Sequence, residues 1–140
     1  MKRLKQNLLV ALISLLLNGI WEYAVCTYFY DNDIVSNMEI LMIQATFGDV
    51  VITLFFFNLL MFFKNGEKWV FKTYDYFNLS IYGIAAAFYF ESKALNIDRW
   101  AYLETMPLVG ETSIGLLPAL QLAVLVPLSI FLTRSYYQKR

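Results

Sequence analysis

A chain of 140 residues that is 59% apolar and only 16% charged carries more apolar surface than one water-facing core of that size can hide, so its solvent is lipid. It has no histidine and a single cysteine, Cys26, which excludes Ser-His-Asp and Cys-His catalysis, a His-ligated metal and an intrachain disulfide. Eleven basic residues balance eleven acidic ones, so the charge does not point to a nucleic-acid partner.

A stretch of about 20 apolar residues crosses a hydrocarbon core of about 30 Å as a helix. The first candidate runs over about 7–30, from Asn7 to Tyr30. Its MKRLK start resembles a signal peptide, but no small-x-small site follows and the residues before Cys26 make a poor lipoprotein box, so it reads as an uncleaved first helix. The second candidate covers about 41–63, LMIQATFGDVVITLFFFNLLMFF. The third, at about 76–95, is harder to assign, because its uncharged run from Tyr76 to Phe90 would reach only about 22 Å. Either it is a buried or interfacial helix, or the span continues through Glu91 and Lys93 with the lysine snorkelling outward. The second option is preferred, because an odd number of spans would break the charge pattern given below.

In the connection that follows, Asn96 or Asp98 could cap a short interfacial helix through Arg99, Trp100, Tyr102 and Leu103, ended by Pro107. The alternative is an ordinary loop with aromatic anchors. The fourth span covers about 114–133, with Pro118 in its first turn and Pro127 inside, where the missing donor should free the Ala123 carbonyl and kink the helix. Gly83 with Ala85, Ala86 and Ala87 gives the third helix a small-residue stretch for close packing. The expected fold is all-α: residues 1–140 form a single four-span membrane bundle.

Lysine and arginine number three before the first span, none in the first connection, three in the second, two in the third and three after the last. By the positive-inside rule both termini are cytoplasmic, and the first and third connections face outward. Trp69, Tyr74 and Tyr136 fit an inner aromatic belt, and Tyr28, Tyr30, Trp100 and Tyr102 an outer one.

A carboxylate at mid-span costs on the order of 2.5–3.5 kcal/mol on insertion scales. Glu22 and Asp49 each lie eight residues below the outer end of their span, about 12 Å deep, and the short first connection makes their helices antiparallel neighbours. Asn18, Gln44, Glu91 and Gln121 fall in the same outer half, so one shared cavity is the economical reading. Two acids this close are expected to share a proton. Polar residues can instead hold helices together, but an ionisable group inside a membrane is a functional candidate by default. Arg99 either folds over the cavity or anchors at the interface beside Trp100. Glu22, Asp49 and Glu91 are hard oxygen ligands, yet no spacing motif supports a metal, and neither a metal nor a cofactor is assigned.

The strings Arg99-Trp100-x-Tyr102, Met106-Pro107 and Gly115-Leu116-Leu117-Pro118-x-Leu120-Gln121, with Trp21-Glu22 and Gly48-Asp49, resemble a group of small four-span bacterial membrane proteins to which no activity is attached. The resemblance implies a bacterial inner membrane and a four-helix fold. The small multidrug exporters are similar in architecture only, since this chain is longer and carries a second acid, Asp49.

The functional expectation is a cavity lined by Glu22, Asp49, Asn18, Gln44, Glu91, Gln121 and Arg99 that binds a small molecule, a cation or a lipid head group, with proton-coupled transport as one use. The alternatives are an accessory subunit of a larger membrane complex, or a membrane enzyme on an amphiphilic substrate with a carboxyl as general base. Membrane lipids are the expected partners, together with a second copy or another membrane protein.

Overall fold

The computed structural model describes residues 2–33, 37–64 and 71–138, in four helices: α1 (Lys2–Phe29), α2 (Met38–Phe63), α3 (Thr73–Asn96) and α4 (Leu116–Gln138). Lys68, Trp69, Lys139 and Arg140, which entered the charge and aromatic pattern, lie outside the described residues. α1, α2 and α4 are long and apolar enough to cross a membrane. Their outward faces carry Leu8, Leu12, Leu16, Ile20, Phe47, Phe55 and Phe131, all exposed, which water would penalise and lipid accepts.

Each helix starts and ends for a local reason. The Asn37 side chain accepts the Ile40 amide hydrogen at 3.1 Å and so caps α2. Asp75 accepts from the Lys72 amide at 2.7 Å at the start of α3, and its other carboxylate oxygen lies 3.1 Å from Lys64 at the end of α2. Lys64 also donates to the Tyr74 hydroxyl, and that bond and Asp75 raise its pKa above the ordinary lysine value.

α4 is the hub. It packs against α3, α1 and, more lightly, α2, while α1 packs along α2. Its buried residues Ala119, Leu122, Val126, Ile130 and Thr133 recur at three- and four-residue steps. Pro127 lies within an unbroken α4. α3 leans on α4 through Leu79, Gly83, Ala87, Glu91 and Ala94. It meets α2 at the stacked rings of Phe56 and Tyr82, 5.8 Å apart.

Gly83 marks the closest approach. A Cβ there would lie 2.4 Å from the Leu122 carbonyl oxygen, so backbone meets backbone and only glycine fits. Of the small stretch around it, Ala87 is buried against the core and Ala85 is exposed.

The end of the bundle holding the α1–α2 and α3–α4 connections is closed by residues 97–115. Asp98 adopts a left-handed φ of 53° just after α3, and the Arg99 amide returns to the Ala94 carbonyl at 2.9 Å. The chain then runs extended rather than as a short helix. Tyr30 and Tyr102 form an antiparallel bridge, the Asp31 amide donates to Ala101 at 3.0 Å, and the Leu103 amide donates to Phe29 at 2.9 Å. Asp98 thus ends α3 instead of starting a new helix. An extended strap puts Trp100 and Tyr102 on one side, as the period of two requires, and that side faces the bundle. We call this the capped end.

The backbone contact at Gly83 sets an expectation for stability. Gly83→Ala should destabilise the protein by about 1–3 kcal/mol, because the neighbouring atom is backbone and cannot rotate away. Gly48→Ala, where a Cβ meets nothing within 4 Å, should be neutral or stabilising. Thermal unfolding of the two variants in detergent separates these outcomes.

Candidate functional site

A ladder of buried polar side chains climbs α1. Ser14, Asn18 and Glu22 recur every four residues and all face inward. Ser14 donates to the Thr53 hydroxyl of α2 at 3.1 Å, and the Asn18 amide nitrogen bonds the Ser14 carbonyl at 2.9 Å and hydroxyl at 3.0 Å. At the top of the ladder stands Gln121 of α4. Its Nε2 donates to Asn18 Oδ1 at 3.1 Å, to Glu22 Oε1 at 2.9 Å and to Asp49 Oδ2 at 2.7 Å.

That geometry contains a shortage. An amide nitrogen carries two hydrogens, so three acceptors cannot each take a full bond from it. Glu22 and Asp49 stand on the same nitrogen, 2.9 and 2.7 Å from it, and two carboxyl groups held this close favour a proton on one of them. One amide nitrogen of α4 is thus shared among an amide oxygen and two carboxyl groups from α1 and α2.

Glu91 of α3 is the third acid. It is 8% exposed, and its Oε2 accepts from Trp100 Nε1 at 3.1 Å and from the Tyr102 hydroxyl. Burial and the Glu91 charge push the Tyr102 phenol well above the ordinary range, which keeps it a donor. Tyr30 packs edge-on against both partners, with centroids 6.2 Å from Trp100 and 5.3 Å from Tyr102. Trp100, Tyr102 and Tyr30 therefore form the underside of the strap rather than an outer aromatic belt, because a buried carboxylate needs donors more than the interface needs anchors. Tyr28 alone of that set points outward.

Glu22, Gln44, Asp49, Glu91, Arg99 and Gln121 line one cleft of about 370 Å³, and Asn18 lies just beneath it through Gln121. Gln44 is five residues from Asp49, or about 140° around the helix, so it sits at the mouth rather than in the polar centre. There it accepts from Arg99 Nη2 at 2.9 Å. The Arg99 guanidinium also lies 5.5 Å from the Trp100 ring centre, so the residue both covers the cleft and stacks on its neighbour. Arg99 is the only basic residue in the lining among the described residues. Among the described residues no group of three acidic or sulfur side chains has the proximity a metal site needs.

Sequence reasoning missed Ser14, Thr53, Trp100 and Tyr102. The four-residue register from Ser14 to Glu22 and the alternation of Trp100 with Tyr102 were the available signals.

The chain matches no protein-family model, no curated protein and no solved structure.

The donor role of Gln121 is open to a direct test. Gln121→Leu leaves Asn18, Glu22 and Asp49 facing one another and should cost about 1–3 kcal/mol. Adding Glu22→Gln restores an amide donor and should recover much of that loss in thermal unfolding. Independent, additive effects would contradict the shared network.

Proposed function

We propose that this is a four-span membrane protein whose acidic cleft binds a positively charged small molecule or head group in exchange for a proton. The supporting observation is the charge of the lining: acids from α1, α2 and α3 line one cavity, and among the described residues its one basic side chain, Arg99, is engaged with Gln44 at the mouth. A cation supplies the missing positive charge and displaces the shared proton to solvent.

On this reading α3 is the fourth span. Its 24 residues extend about 36 Å, Phe77, Ile81 and Ile84 point outward, and its acid faces the cleft. Nine basic residues on one side and two on the other favour cytoplasmic termini and a capped end facing outward. The resemblance to small bacterial four-span proteins favours a bacterial inner membrane.

Topology is checked by cysteine labelling in a Cys26→Ser background. Cysteines at Asn32 and Glu111 should react with an impermeant reagent added to intact cells, and one at Thr73 should not. Labelling at Thr73 from outside overturns the orientation.

Binding is checked with butylammonium added to lightly buffered protein in nanodiscs. Proton release is expected from the parent and should be lost in Glu22→Gln with Asp49→Asn. That variant should stay folded, because the isosteric changes keep the hydrogen-bonding atoms and remove the charge. Unchanged proton release in the double variant rejects the proposal.

A further inference from the structure

The cleft has two potential approaches, and the protein treats them differently. At the capped end the strap lies over it, pinned by the Asp31–Ala101 and Leu103–Phe29 backbone bonds and by Arg99 on Gln44. α2 and α3 pack little against each other, and their ring stack, Phe56 on Tyr82, lies further along both helices from the capped end than Asp49 and Glu91. The walls on that side are apolar: Val51 and Ile52 from α2, Ala87 and Phe90 from α3. Val51 and Phe90 are themselves exposed, so the cavity opens toward the surface that lipid covers.

Gly48 supports the same reading. It lines the cleft on α2, one residue from Asp49, and a Cβ there would meet nothing within 4 Å. Gly83 is explained by the backbone it touches. Gly48 has no such neighbour, and glycine is a poor helix residue, so packing does not account for it. What its missing side chain leaves is clearance at the lip.

We propose that the cleft takes its ligand sideways from the bilayer, between α2 and α3, and that the ligand is an amphiphile with an ammonium head group. This rests on the cation-binding reading above and adds the ligand class and its route. Charge selects the head, since three acids line the cavity and would repel an anionic one. The volume of about 370 Å³ holds on the order of a dozen water-sized groups, enough for a head and its first methylenes, while the rest of the chain stays in lipid along Val51 and Phe90. The acids Glu22, Asp49 and Glu91 in the lining set the level at which the head is held.

The test compares dodecylammonium, butylammonium and dodecyl sulfate binding to the full chain in nanodiscs, with partition into empty discs subtracted. Dodecylammonium should bind at least roughly tenfold more tightly than butylammonium, the effect of burying about two methylenes. Dodecyl sulfate should not compete. Gly48→Leu, which fills the lip without touching the packed helices, should melt at or above the parent temperature and lose dodecylammonium binding by about the same tenfold factor.

Equal binding of the two ammonium ions, with the acids still required, overturns the sideways amphiphile and leaves the cation site standing. Competition by dodecyl sulfate overturns the choice of head group. Full dodecylammonium binding in folded Gly48→Leu overturns the route. Absence of binding by either ammonium ion overturns both this inference and the cation reading beneath it.

Discussion

One amide nitrogen connects three of the four helices at the polar centre. Gln121 Nε2 reaches α1 at Asn18 and Glu22 and α2 at Asp49, so moving any of these helices breaks a buried polar contact. In lipid that loss has no water to offset it, which fixes the mutual depth of α1, α2 and α4 more tightly than apolar packing alone. The same nitrogen is outnumbered by its acceptors. The interaction that positions the helices therefore also holds two acids at one point.

The remaining architecture protects that imbalance. α3 is held to α4 by the Gly83 backbone contact, which brings Glu91 to the cleft, and the strap returns across the capped end to give Glu91 its two aromatic donors. Asp98 supplies the left-handed turn that aims the strap back over the bundle. At the opposite end Lys64, Asp75 and Tyr74 tie α2 to α3, so these helices are joined below the cleft and separate beside it. A cavity roofed by the strap, lined by acids and bounded by apolar residues on the side of α2 and α3 is the result.

The helices were legible because lipid demands long apolar runs, and the observed ends fall within a few residues of those runs. Glu22 and Asp49 stood out because ionisable groups are costly there, and their equal offsets placed them in one layer. The strap was not legible. Asp98 looks like a helix-starting residue, and only the tertiary demand of a buried Glu91 turns the following segment into an extended one. For the same reason Trp100 and Tyr102 read as interface anchors, since a single sequence does not show which carboxylate they face. Gln44 shares the outer half with Asp49 but lies about 140° away around the helix, which puts it at the mouth.

The central claim is that the Glu22–Gln121–Asp49 centre holds a proton between its two carboxyl groups. Infrared spectroscopy of the protein in nanodiscs near neutral pH addresses it directly, because a protonated carboxyl has a C=O stretch distinct from the carboxylate bands. The account predicts a protonated-carboxyl band that weakens in Glu22→Gln with Asp49→Asn, with Glu91 as the remaining carboxyl of the cleft. A spectrum without that band, or a band unaffected by the two substitutions, would contradict it.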